Sequence, residues 1–251
     1  MELLKLGRGN AKLDTAIGIF DLPAGHSCPF AKDCYAKVDR KTGKLVKIPE
    51  TKFRCFAATS ELISKKAREK RWYNFQLIKA QKTIEEASEL IINSIKAEKQ
   101  LEGIEKFRIH TSGDFFSQKY FDTWLLVAKK LPNITFYAYT KSLKFWIKRI
   151  EEIPENLHLT ASRGGASDEL IDKFNLKNVV VVFSHQEAID KGLEIDHDDS
   201  HCFNRNCHEF ALLIHGTQPK DSFAMKAVTT LRRKGITGYR QNKKLTKRNL
   251  K

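Results

Sequence analysis

Val179-Val180-Val181-Val182-Phe183-Ser184-His185-Gln186 joins an unbroken apolar run to a small, polar corner. A strand apolar on both faces is one covered on both sides, the condition of a parallel sheet flanked by helices. Five further β-rich runs carry the same reading: Ala16–Phe20, Phe107–Ile109, Ile134–Tyr139, Leu157–Thr160 and Ala211–Ile214. From Phe107 onward they recur every 22 to 32 residues, with helical stretches between them. Tyr120, Phe121, Trp124, Leu125 and Ala128 line one face of a helix over about Ser117–Leu131. Shorter helices are predicted at Leu143–Glu152, Ala166–Phe174, His185–Gly192 and Pro219–Arg233. The longest helical stretch runs from about Ser60 to Leu101, with Trp72, Phe75 and Ile78 at helical spacing. Strand and helix in alternation predict βαβ units. The expected fold is a single α/β domain over 1–231: a partial (β/α)6 barrel-like parallel sheet with an inserted long helix. A basic C-terminal arm occupies 232–251. An open doubly wound sheet is the alternative, because the pattern does not decide closure.

The residues that leave each strand point to a site. His110-Thr111-Ser112-Gly113-Asp114-Phe115, Thr140-Lys141-Ser142, Ala161-Ser162-Arg163-Gly164-Gly165, Ser184-His185-Gln186 and His215-Gly216-Thr217-Gln218 stand at the predicted C-terminal strand edges. Those edges converge on one rim in parallel α/β folds, and the rim carries the active site. Ordinary turn and cap chemistry is the bland reading of any one such corner. Five together, holding His110, Lys141, Arg163, His185 and His215, favour a site.

The chain has 251 residues, 41% of them hydrophobic and 30% charged, enough for a large core. No apolar run nears the roughly 18 residues needed to span a bilayer, and the N-terminus lacks a signal-peptide stretch. A cytosolic protein is expected. Lys and Arg number 45 against 30 acids, a net +15, and nine of the bases with no acid fall in the last 21 positions. Such an arm attracts polyanions, DNA or RNA foremost; the plain alternative is a solubilising tail.

Five cysteines without an export signal argue for metal or redox roles rather than disulfides. Cys28 and Cys34 share a Pro/Gly-marked loop after the first strand, and Cys55 comes after a polar excursion. Three thiolates shielded by Pro29, Phe30, Tyr35 and Phe56 suit an iron–sulfur cluster. Zinc and inert buried thiols are the alternatives, although no C-x2-C pairing is present. A second cluster, Asp196-His197-Asp198-Asp199-Ser200-His201-Cys202 with Cys207-His208, reads as a divalent-metal or proton-handling group, or as a solvated acidic loop. Cys202 or Cys207 is a candidate fourth cluster ligand.

Leu22-Pro23-Ala24-Gly25-His26-Ser27-Cys28-Pro29, Phe53-Arg54-Cys55-Phe56, His110-Thr111-Ser112-Gly113-Asp114-Phe115-Phe116, Phe136-Tyr137-Ala138-Tyr139-Thr140-Lys141-Ser142-Leu143, Leu159-Thr160-Ala161-Ser162-Arg163-Gly164-Gly165, Ile195-Asp196-His197-Asp198-Asp199-Ser200-His201 and Ile214-His215-Gly216-Thr217-Gln218 together resemble the gene product eighty-eight family of tailed bacteriophages. The likeness runs from about Gly9 to Gln218, and implies a protein of the infected host's cytoplasm. A more distant resemblance is to the radical S-adenosylmethionine superfamily, whose partial (β/α)6 barrels bind a 4Fe–4S cluster after the first strand. That superfamily packs its three cysteines more tightly in sequence than Cys28, Cys34 and Cys55. The resemblance implies cluster ligation by these three. It also implies that Ser112, Gly113 and Asp114 hold a cofactor amine, while Lys141, Ser142, Ser162 and Arg163 meet its carboxylate or a phosphate. His110 or His215 would move a proton.

The leading expectation is thus an iron–sulfur, radical S-adenosylmethionine-like enzyme acting on a nucleotide or nucleic acid. A non-radical barrel enzyme, a transglycosylase or hydrolase using Asp114 with Asp198 or Asp199, is the first alternative. A non-catalytic nucleic-acid-binding or host-interaction protein with a structural cluster is the second.

Overall fold

In the computed structural model, which describes residues 2–10, 12–47 and 50–236, the six expected strands pair edge to edge in chain order. They are β2 (Ile17–Phe20), β3 (Lys106–Ile109), β4 (Thr135–Thr140), β5 (Leu157–Ser162), β6 (Asn178–Val182) and β7 (Glu209–Leu213), each parallel to the next. A two-residue strand that periodicity did not reveal, β1 (Gly7–Arg8), adds antiparallel to β2, making a seven-stranded open sheet.

Helices fill the crossovers, α4 (Gln118–Lys130), α5 (Leu143–Ile147), α6 (Glu169–Lys173) and α7 (His185–Asp190), and α8 (Phe223–Arg233) follows the last strand. The stretch read as one long helix is three: α1 (Phe56–Ile63), α2 (Lys65–Ala80) and α3 (Ile84–Ala97). Local capping divides it. Ser64 accepts from Ala67 N, and Thr83 forms a reciprocal capping box with Glu86. Residues 237–251 of the expected basic arm lie outside the described residues.

Two cores show how the sheet bends. On its outer face Phe20, Phe107, Ile109, Phe136, Leu157 and Leu159 pack with Ile91, Trp124 and other residues of α2–α4. On the other face Ile17 and Ile19 of β2 share a cluster with Tyr137 of β4, Val179 of β6 and Phe210 of β7. Alternate residues of strands far apart in a flat sheet meet only if the sheet curls, so the barrel-like half-closure is a product of side-chain packing. Burying each such large side chain contributes roughly 1.5–3 kcal/mol. Among the described residues no helix is long and apolar enough to cross a membrane.

Candidate functional site

The loop after β2 is laced onto the C-terminal rim by three of the five predicted corners. Leu22 N donates to Ser112 O at 2.9 Å, and Ser112 Oγ returns a bond to Leu22 O at 2.8 Å. Beside them Gly113, at φ +90°, leaves no room for a Cβ against Leu22 and Ser27, 2.6 Å away. The loop then crosses to the β5 exit, where Lys32 N and Asp33 N both donate to Gly164 O. Its far end is clamped to the β7 exit: Arg54 N donates to Gln218 Oε1 at 2.7 Å, and Gln218 Nε2 donates to Arg54 O at 3.2 Å. Ala24 N, near the start of the loop, donates to the buried carboxylate of Glu61, itself paired with Arg71 at 3.1 Å.

This lacing brings together Cys28, Cys34 and Cys55, all partly buried. Cys34 donates its thiol hydrogen to Cys55, which raises the Cys34 pKa and lowers that of Cys55 despite burial. Burial pushes the Cys28 thiol up, and the nearby Asp114 charge pushes the same way; Cys28 in turn acts on the Cys55 thiol. Asp114 Oδ1 accepts from Thr140 Oγ1 at 2.6 Å and Phe115 N at 2.7 Å, and its Oδ2 from Lys141 N at 2.8 Å. Burial nonetheless raises its pKa above the usual carboxylate range, against those bonds. Lys141 donates through Nζ to Ser162 O, Ser162 Oγ and Arg163 O at 2.9, 2.6 and 2.7 Å, and its charge acts on Cys34. The rim therefore places three thiols that act on one another's titration in the neighbourhood of one carboxylate and one buried ammonium. Among the described residues no group of three or more His, Cys, Asp or Glu stands arranged to hold a metal ion.

Other predicted residues have different places. Arg163 donates to Asn178 Oδ1 at 2.8 Å and pairs with Asp172 at 2.7 Å and Glu209 at 3.4 Å, so its guanidinium is committed to these partners. Ser142 Oγ donates to Phe115 O, bracing the β3 exit loop. His110 is 3% exposed, bonded through Nε2 to Tyr120 at 2.8 Å and packed on Phe115; burial, helped by Arg108, lowers its pKa to about 3. His215 stays at the rim, its ring tilted 35° against Phe56 at 4.2 Å, with its pKa lowered to about 4 by burial and the Lys12 charge. Cys207 Sγ donates to Glu209 O at the start of β7, whereas the Cys55 segment meets residues beyond its end. A five-residue strand spans about 16 Å, which separates Cys207 from the trio. Cys202 lies inside the curl, accepting from Thr160 Oγ1 at 3.8 Å.

The acidic cluster has partners that sequence reading missed. Asp199 pairs with Lys12 and Arg108 and accepts from the Tyr137 and Tyr139 hydroxyls at 3.3 and 3.1 Å. Asp196 pairs with Lys12 at 3.3 Å and with His201 Nδ1 at 3.1 Å. Burial pushes Asp199 up, but Arg108 and Lys12 outweigh it and hold its carboxyl below the usual range. Asp198 joins this network only through its backbone N, which donates to Asp196 Oδ1 at 3.4 Å, while its carboxylate accepts from Ser200 N at 3.0 Å. The only advance sign was Arg108, a charge placed in a β-rich run.

A family model described as Gene product 88 matches residues 3–235. The chain is similar to the Gene 88 protein of Mycobacterium phage L5, 30% identical over 138 residues, 53% of this chain and 51% of that protein. It is equally similar to the Gene 88 protein of Mycobacterium phage D29, 30% identical over 138 residues, 53% of this chain and 50% of that protein. The chain thus spans about half the length of the curated relatives it matches. No solved structure matches it.

Proposed function

The chain belongs to the Gene product 88 family, and for this member we propose an iron–sulfur protein, radical S-adenosylmethionine-like in its chemistry and acting on a nucleotide or nucleic acid. Cys28, Cys34 and Cys55 would hold a 4Fe–4S cluster. What supports the proposal is that three thiols from two separate segments act on one another's titration where the loop after β2 is tied to the rim of a half-closed parallel barrel. Thiolates are the soft ligands that such clusters take, and Lys141 supplies a positive charge beside an anionic group. Ligation needs thiolates, so the protons these cysteines carry would have to leave on loading, Cys28 and Cys34 against the upward push of burial. The present contact of Cys34 with Cys55 must open to admit the cluster.

Bound there, a cluster would supply one-electron reducing chemistry to a cofactor held beside it. The chain's own residues do the holding. Asp114 spends three of about four lone-pair positions on Thr140, Phe115 and Lys141, leaving one on Oδ2 for an amine. Ser112 and Gly113 keep that carboxylate on the rim through Leu22. Ser162 and Lys141 line the side towards β5; Ser162 Oγ, which accepts from Lys141, keeps its own hydrogen for a carboxylate, and Lys141, its three donors spent, adds only its charge. His215, its pKa lowered to about 4, is neutral at pH 7 and a weak base, so of the roles open to it hydrogen bonding to a ligand fits better than proton transfer.

Anaerobic purification and then iron and sulfide analysis test the reading. The expected result is about four of each per chain with a visible sulfur-to-iron band. An electron paramagnetic resonance spectrum of the reduced protein should change on adding S-adenosylmethionine. A colourless protein with stoichiometric zinc overturns the proposal, and a cluster spectrum indifferent to the cofactor removes its radical part.

A further inference from the structure

Between Lys37 and Lys79 stand thirteen basic residues against four acidic ones, a net +9. The last 21 residues carry another +9, so with +15 overall the remainder of the chain carries −3. Positive charge in the described fold is thus a local feature.

The fold gathers it on one face. Val38 pairs with Leu45, Asp39 N donates to Lys44 O at 2.8 Å, and Val46 N donates to Lys37 O at 3.0 Å, forming a hairpin over 37–46. Its turn is held by Asp39 Oδ1, which accepts from Lys41 N, Thr42 N and Thr42 Oγ1. The tip lies on α2: Arg68 Nε donates to Arg40 O at 3.0 Å, and the Arg40 guanidinium sits 5.5 Å from the Trp72 ring. The root is in the site, with Val38 fully buried in a cluster with Ala57, Ala58 and Cys55. Arg40, Lys41 and Lys44 of the hairpin, Lys47 just after it, and Lys65 and Lys66 of α2 are exposed. Of these six only Lys65 makes an ion pair among the described residues, with Glu69 at 3.6 Å. Beneath them Arg68 is 5% exposed and donates only to backbone carbonyls of Arg40 and Glu61, so its charge is not neutralised by a carboxylate. At the rim end stand Tyr35, with Lys37 5.2 Å from its ring, and Phe56, 40% exposed.

We propose that the 37–46 hairpin and α2 form a docking surface for the phosphate backbone of a nucleic acid strand, which the surface leads to the thiol rim. A run of exposed cations, five of the six without an ion pair among the described residues, gains most from a partner that carries a charge at every residue and releases counterions on binding. Aromatic rings beside cations at one end suit stacking of unpaired bases. The surface deepens the nucleic-acid reading above and rests on it for its purpose, but backbone binding itself needs no iron.

The test is fluorescence anisotropy of a labelled 20-nucleotide single-stranded DNA across a salt series, with full-length protein. The variant Arg40→Glu/Lys41→Glu/Lys44→Glu/Lys66→Glu should bind at least about 30-fold more weakly at low salt, and its log–log salt slope should be shallower by about 3. Thermal unfolding verifies that it folds, and the matching Gln variant gives a second reading with a smaller loss. Reversing Lys129 and Lys130, exposed at the end of α4, should change affinity less than about twofold. Equal losses in both variants, unchanged binding in the first, or binding to phosphatidylserine vesicles with none to the oligonucleotide would overturn the surface. The same measurement on Cys28→Ser/Cys34→Ser/Cys55→Ser separates the two proposals. A protein without iron that still binds DNA through the hairpin refutes the cluster alone, and a cluster-bearing protein indifferent to hairpin charge refutes the surface alone.

Discussion

Two polar groups lie within the curl of one sheet, and they are built on opposite plans. Inside, Lys12, Arg108, Asp196 and Asp199 meet as cations and anions, with two tyrosine hydroxyls and His201 taking up remaining bonds. At the rim, Lys141 spends its donors on neutral oxygens, Asp114 takes none of its bonds from a charged side chain, and three thiols act on one another's titration. The interior network is electrically closed and works as a strut, tying the segment before β2 to the segment before β7. The rim is electrically open, and an open arrangement is one that can still gain by binding something.

The largest expected break of that contrast is Asp199→Asn, which leaves Lys12 and Arg108 buried facing a neutral amide. Urea unfolding should show a loss of about 3–5 kcal/mol. Next is pH. The neutral His110 takes up a proton only near pH 3 when folded, against about 6.5 unfolded, so the unfolded chain binds more protons between these values. Stability should therefore fall as pH drops, by about 2–3 kcal/mol between pH 6.5 and 4.5 from this group. His110→Asn, tolerated at the left-handed φ of +68°, should flatten that slope whatever its effect at neutral pH. At the rim, Cys28→Ser should cost about 1 kcal/mol or less in unfolding yet remove more than half the iron bound per chain, by atomic absorption. A large stability loss without change in iron would reverse the roles of the two regions. The smallest effect is expected for Arg163→Gln, which breaks part-exposed pairs with Asp172 and Glu209: iron content unchanged, and stability changed by about 0.5 kcal/mol.

Much of the fold was legible because apolar runs and polar corners are local signals. Each of the six strands lies within two residues of its expected place. The division of the Ser60–Leu101 stretch was legible too, since Thr83 and Glu86 have capping-box spacing, but apolar periodicity running across the caps concealed it. Site residues divided differently. Asp114, Lys141 and Ser162 stand together as expected, whereas Arg163 and His110 share those corners but engage Asp172 and Tyr120 instead. A corner tells which residues leave a strand together, not which way each side chain turns.

From the sequence alone came the alternation of strands and helices, the polar rim and the grouping of thiols in two segments, since propensity, hydrophobic period and turn chemistry act over a few residues. Tertiary structure alone decided that Lys12 and Arg108 answer Asp199, that Cys34 faces Cys55, and that the hairpin lays its cations along α2. Charge and proton sharing depend on distance in space, and the partners here are separated by 21 to 187 residues of chain, so only the folding of the sheet into a curl brings them within reach.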